Sequence, residues 1–157
     1  MALSIHVDGG SRGNPGPAGA GVVISDGGGC LLFEAGYFLG RQTSNAAEYH
    51  ALLRALERTG QCPPQPIVIQ SDSELLVRQL TGQYRVKSEK LAPLVQQVQR
   101  HLLRIGQWSI RHVRREQNSR ADQLANLAMD RGCDVVMFDV AAGETPGAPP
   151  APRARTA

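Results

Sequence analysis

The hydrophobic period of the chain first changes near residue 45, from strand alternation to a helical repeat, and that change most restricts what it can fold into. Before it, Leu3–Val7, Gly21–Ser25 and Leu31–Leu39 carry the alternation and β-branching of strands. The second and third are joined by Asp26-Gly27-Gly28-Gly29, whose glycines supply the positive φ of a tight hairpin. After it, Ala47, Ala51, Leu52, Ala55 and Leu56 make one apolar stripe within a helix over Ala46–Arg58, with Gly60 placed to stop it. Pro63, Pro64 and Pro66 mark a linker, and Ile67-Val68-Ile69 reads as a short, fully apolar strand of a parallel sheet. Helices at Ser73–Leu80 and Glu89–Leu103, a strand at Trp108–Val113 and a helix at Arg120–Met129 complete the order βββ-α-β-α-α-β-α.

That order predicts an α/β fold with a five-stranded mixed sheet and helices on both faces. Strands 1–3 are antiparallel, and strands 1, 4 and 5 are parallel, strand four returning beside strand one through a helical crossover. Connectivity then switches direction at strand one. Asp8 and Asp72 end strands one and four, where sheets of this type place their ligands, and neighbouring strands would set them roughly 5 Å apart. The segment from Gly9 to Pro17, rich in glycine and proline, reads as a long loop after strand one.

A length of 157 residues, 41% of them hydrophobic, fits one domain, expected over residues 1–138. Residues 139–157 are rich in proline and alanine with almost no bulky apolar side chain, and read as a disordered tail. The formal charge of +3 is too small to prove a polyanionic partner, but Arg100, Arg104, Arg111, Arg114, Arg115 and Arg120 are dense enough to meet phosphates. A solvated helix face and loop accounts for them equally well. Cys30, Cys62 and Cys133 are odd in number and lack zinc-site spacing, which fits a reducing cytosol. The N-terminus does not read as a signal peptide, and no apolar run approaches the ~18 residues of a membrane span, so a soluble, cytoplasmic protein is expected.

Each acidic candidate has a structural reading. Asn45-Ala-Ala-Glu48, Ser71-Asp72-Ser73-Glu74 and Ser119-Arg-Ala-Asp122 all resemble helix starts, and Asp8 could close an Asx turn. Their joint placement points elsewhere. Glu48 shares the inward stripe of Leu52 and Ala55, where an unpartnered carboxylate would be costly. Carboxylates clustered within a few ångströms repel unless a cation neutralises them, and Mg²⁺ and Mn²⁺ take oxygen ligands of this kind. The cluster predicts a metal site.

Four blocks in order carry a resemblance: Asp8-Gly-Gly-Ser-Arg-Gly-Asn-Pro-Gly-Pro-Ala-Gly, Thr43-Ser-Asn-Ala-Ala-Glu48, Ser71-Asp72-Ser73, and His112 ten residues before Asp122 in Asn118-Ser-Arg-Ala-Asp-Gln-Leu-Ala. Together they resemble type 1 ribonuclease H, from about Leu3 to Met129. The resemblance implies a ribonuclease H-like fold and cleavage of the RNA strand of an RNA/DNA hybrid, leaving 3′-hydroxyl and 5′-phosphate ends. It implies two divalent ions, Mg²⁺ or Mn²⁺, held by Asp8, Glu48, Asp72 and Asp122. His112 falls where the family carries a loop histidine that shuttles protons or aids product release, although the glycines flanking it in many relatives are replaced here by Arg111 and Val113-Arg114-Arg115.

For the substrate, the resemblance brings backbone groups of Gly9, Gly10 and Ser11, with Asn14, Asn45 and Glu48, against RNA 2′-hydroxyls, and Thr43 against a DNA phosphate. Glu74 stands where many relatives contact the hybrid through Gln. The stretch between Leu80 and Leu91 is short, like that of the subgroup without a basic handle, leaving Arg85 and Lys87 to assist binding. A monomer without an obligate protein partner is expected. Two other readings stay open: another nuclease of the ribonuclease H-like superfamily, and a catalytically silent nucleic-acid-binding module.

Overall fold

The computed structural model describes residues 2–143. Its strands are β1 (Leu3–Ser11), β2 (Gly16–Ser25), β3 (Leu31–Gln42), β4 (Ile67–Ser71), β5 (Trp108–His112) and β6 (Val135–Asp139). The helices are α1 (Ser44–Thr59), α2 (Glu74–Leu80), α3 (Ala92–Ile105), α4 (Ser119–Arg131) and the four-residue α5 (Val140–Gly143). All six strands form one sheet in the order β5-β4-β1-β2-β3-β6. β1 pairs antiparallel with β2, Asp8 opposite Gly21, and parallel with β4, Val7 opposite Ser71. β4 and β5 are also parallel, so the mixed sheet with its direction switch at β1 is as expected.

The two faces of the sheet are built differently, because alternate residues of β1 and β2 differ in kind. Leu3, Ile5 and Val7 with Val22, Ile24 and Ile69 present branched side chains to one face, where Tyr49, Leu52 and Leu56 of α1 and Val95, Val98 and Leu102 of α3 cover them. These side chains form the main core. The opposite face carries a lane of glycines under α4. A Cβ on Gly21 would stand 1.9 Å from the Ala121 carbonyl oxygen, and one on Gly36 would stand 2.2 Å from that of Leu124. α4 answers with small buried residues, Ala121, Ala125 and Ala128, so its backbone rests almost on the sheet. Asp8 shares this face with Gly21, its register partner. The lane therefore lowers the first turn of α4, with Asp122, towards Asp8.

The sheet has one strand more than expected. β6 pairs antiparallel with β3 at the sheet edge, and it was hidden because Val136 and Met137 are exposed, which leaves no alternating pattern to read. Gly132, at φ 65°, ends α4 and turns the chain back. The edge is fastened by Arg58 of α1, which is buried, stacks over Phe33 at 5.1 Å and pairs with Asp139 at 2.9 Å. Thus the chain is still paired at Asp139, where the sequence suggests that the tail begins, and residues 144–157 of that tail lie outside the described residues. The expected loop after β1 is also shorter, four residues from Arg12 to Pro15, because Gly9, Gly10 and Ser11 continue the ladder opposite Ala20, Gly19 and Ala18. No helix is long and apolar enough to cross a membrane among the described residues.

Gly21→Ala is expected to lower stability by about 1–3 kcal/mol, since backbone and not a flexible side chain must retreat. Urea unfolding measures this directly. An unchanged midpoint would mean that α4 does not sit so close.

Candidate active site

Three elements meet near the carboxyl ends of β1 and β4. Asp8 is placed by the β1 ladder and Asp72 follows the last residue of β4, so the parallel pairing of Val7 with Ser71 brings the two acids to the same level. Glu48 comes from α1, whose start is capped by the Thr43 hydroxyl accepting from the Ala46 amide at 3.1 Å. Asn45 is thus not the cap. Gly9 lets α1 approach: a Cβ there would lie 2.3 Å from the Ala47 carbonyl carbon, and the Gly9 amide donates to Glu48 Oε1 at 3.0 Å. One oxygen each of Asp8, Glu48 and Asp72 lies within 4.8 Å of the others.

Asp122, in the first turn of α4, lies beside Asp8, whose carboxyl it helps to push up, and lines the same cavity of about 360 Å³. α4 is pinned there by Asn118, which is buried and donates from Nδ2 to the Val7 carbonyl at 2.8 Å, one residue before Asp8. Ser73 caps α2 by accepting from the Leu76 amide at 3.2 Å, as the serine-rich start suggests.

Crowding shows in the protonation of the group. Burial, then the neighbouring carboxylates of Glu48 and Asp72, push the Asp8 carboxyl up to about 9. Burial and Asp72 push Glu48 up to about 8, against the opposing pull of the Gly9 amide and the Arg115 guanidinium. Oxygen donors so crowded fit a hard divalent cation, which would supply the missing positive charge.

The other nominated residues separate into groups. Gly9, Gly10 and Ser11 line the carboxylate cavity. Gly10 has open space where a Cβ would be, whereas Gly9 is required by helix packing. The Ser11 hydroxyl faces back into the turn, against the carbonyl oxygens of Gly13 and Gln42. Asn14, Thr43 and Asn45 line a second cavity of about 510 Å³ together with Arg41 and Lys90. Asn14 ties this loop to α1 by accepting from the Ser44 amide at 3.1 Å. His112 is exposed at the end of β5, one strand beyond Ser71, and is not among the residues lining the carboxylate cavity. Glu74 is exposed at the start of α2, 3.6 Å from Arg78, and Lys87 is exposed between α2 and α3.

Sequence reasoning passed over Arg12, Asn126 and Met129 of the first cavity and Arg41 and Lys90 of the second. Asn126 could have been found by its spacing, one helical turn beyond Asp122. Arg115, also in the first cavity, belongs to the arginine-dense segment already noted.

The fold is shared with many solved structures. Residues 6–128 match the reverse transcriptase-like family. Ribonuclease HI of Halobacterium salinarum is 42% identical over 125 residues, which cover 80% of this chain and 63% of that protein. The bifunctional protein Rv2228c of Mycobacterium tuberculosis is 36% identical over 155 residues, covering 95% of this chain and 43% of the relative. The chain thus spans less than two thirds of the length of these curated relatives. The crystal structure of LC11-RNase H1 in complex with RNA/DNA hybrid superposes with a TM-score of 0.80 at 40% identity, covering 83% of this chain and 98% of that one. The chain belongs to the reverse transcriptase-like family, as a member of type 1 ribonuclease H.

The raised carboxyls make stability depend on pH in a definite direction. Between the ordinary 3.8 of Asp8 and its folded value of about 9, the folded state holds a proton that the unfolded chain has released. Stability of the metal-free protein should therefore fall as pH rises through that window, and Mg²⁺ should restore it at the alkaline end. Thermal melts with EDTA and with Mg²⁺ across pH 4–9 measure this; metal-free stability that rises with pH through the window would contradict the crowding.

Proposed function

We propose that the protein is an endoribonuclease that hydrolyses the RNA strand of RNA/DNA hybrids, leaving 3′-hydroxyl and 5′-phosphate ends. The observation that carries this reading is the convergence of Asp8, Glu48, Asp72 and Asp122 on one open cavity at the switch point of the sheet. Two divalent ions, Mg²⁺ or Mn²⁺, are the proposed cofactors, with these four carboxylates as their ligands. When bound, such ions activate water towards a phosphate and stabilise the leaving oxygen. The carboxylates hold and orient, and none of them attacks.

The groups around the cavity then acquire roles. The backbone at Gly10, open to solvent on its Cβ side, approaches the RNA strand, with Gly9 and Ser11 beside it. The cavity with Thr43 receives the DNA strand's phosphate, where its cations Arg41 and Lys90 supply the charge that a phosphate needs, and Asn14 and Asn45 of the same lining meet RNA 2′-hydroxyls. His112, exposed at the end of β5, moves protons or eases product away from outside the carboxylate cavity. Glu74 and Lys87 contact the hybrid farther along. We infer that the enzyme works as a monomer in the cytoplasm; its three free cysteines suit a reducing compartment.

One end-labelled sequence presented as RNA/DNA hybrid, single-stranded RNA, double-stranded RNA and double-stranded DNA tests the reading, with Mg²⁺, Mn²⁺ or EDTA. Metal-dependent cutting confined to the RNA of the hybrid is expected. Cutting of other duplexes would move the protein to another nuclease class, and no cutting with either metal would make it a binding module. Asp8→Asn should reduce turnover to background while raising the melting temperature of the metal-free protein, by about 2–4 °C for each kcal/mol of repulsion relieved. Retained activity in that variant would remove Asp8 from the site.

A further inference from the structure

Asp122 is the outlying member of the carboxylate group, since the three oxygens within 4.8 Å belong to Asp8, Glu48 and Asp72. It is held by a ladder along α4. Asn126 donates from Nδ2 to the Asp122 carbonyl at 3.0 Å and to its Oδ1 at 3.3 Å. The other end of the same amide, Oδ1, accepts from Arg12 Nη2 at 3.3 Å, and the Asn126 carbonyl lies 3.5 Å from that nitrogen. The guanidinium closes the ladder with an ion pair to Asp130 at 2.7 Å. Positions 122, 126 and 130 are four apart and so form one row on the helix. Arg12 directly follows β1, the strand that carries Asp8.

An asparagine amide has a donor end and an acceptor end of nearly equal shape, so its neighbours decide which way it faces. A guanidinium can only donate. Arg12 therefore draws Oδ1 to itself, and Nδ2 is left to donate to Asp122. One oxygen of Asp122 is engaged in this way, which restrains its side chain beside the cavity. A ligating carboxylate restrained like this loses less freedom when it takes up a cation, and partners behind metal ligands are commonly worth about 10–100-fold in affinity or activity.

We propose that Asn126, oriented by Arg12, is a positioning residue that sets the Asp122 carboxylate for divalent-cation binding. This rests on the nuclease reading only where that reading makes Asp122 a metal ligand. Neither Asn126 nor Arg12 touches the reacting phosphate in this role.

The test is a titration of the full chain with Mn²⁺ in the absence of nucleic acid, free Mn²⁺ being followed by electron paramagnetic resonance. The parent, Asn126→Ala, Arg12→Ala, the double variant and Asp122→Asn are compared, with thermal melts beside each. Asn126→Ala should weaken Mn²⁺ binding by about 10-fold. The double variant should bind no more weakly than Asn126→Ala, because the two residues act through one amide. Mn²⁺ affinity at the parent level in Asn126→Ala, even with a lowered melting temperature, would make the ladder merely structural and overturn the proposal. Additive losses in the double variant would overturn it too, as would parent-like binding in Asp122→Asn. Hybrid cleavage is assayed separately on the same proteins. A parent that cuts no hybrid, with the expected pattern in Mn²⁺ binding, would refute the nuclease reading and uphold this inference; normal cleavage with parent-like Mn²⁺ binding in Asn126→Ala would do the reverse.

Discussion

Mutual repulsion among carboxylates is the constraint on which the rest of this structure depends. Asp8, Glu48 and Asp72 offer oxygens within 4.8 Å of one another, and burial denies Asp8 and Glu48 much of the water that would screen them. Such a cluster does not assemble by attraction between its members. It is imposed by a backbone that leaves the side chains nowhere else to go. Parallel pairing of β1 and β4 levels Asp8 with Asp72, the missing side chain of Gly9 admits α1 and Glu48, and the glycine lane on β2 and β3 admits α4 and Asp122.

The stability to hold these charges together comes from the other face. Ile5, Val7, Val22, Ile69, Leu52, Leu56 and Val98 are almost completely buried there, and burial of side chains like these contributes about 1.5–3 kcal/mol each before the entropy of ordering them is subtracted. The two faces thus divide the labour. One is a conventional apolar core of branched residues, and the other is a close backbone contact that leaves room for polar groups at its end. Asn118 joins them at the critical place, its amide reaching the carbonyl of the residue before Asp8. The edge strand β6 adds its own support through Arg58 and Asp139, away from the carboxylates.

Much of this was legible in the sequence, for reasons that can be named. The change of period near residue 45 separates the opening hairpins from α1, and three consecutive β-branched residues at Ile67-Val68-Ile69 mark β4 as interior. The four acids stand where the sequence patterns of strand and helix change, near the carboxyl ends of β1 and β4 and the starts of α1 and α4, so their convergence followed from topology. What was hidden depends on contacts between distant residues. β6 shows no alternation because Val135–Phe138 is an unbroken apolar run, and its neighbours Val136 and Met137, on opposite faces of the strand, are both exposed. The short turn after β1 was concealed by glycines, which sequence reasoning assigns to loops but which here continue a ladder. Thr43, expected at a phosphate, also caps α1, and the role of Arg12 required knowing that α4 passes beside it. The dispersal of the substrate residues into two cavities, with His112 outside the first, likewise arises from packing and not from motif spacing.

The most direct test of the central claim, that the crowded acids form a divalent-cation site, is crystallographic. Crystals grown with Mn²⁺ and measured at the manganese edge would report the position of the ion itself. The account predicts anomalous peaks in contact with carboxylate oxygens of Asp8, Glu48 and Asp72, and a second peak on the Asp122 side, at oxygen distances of roughly 2.0–2.3 Å. An empty cluster at saturating Mn²⁺, with manganese only elsewhere on the surface, would contradict it.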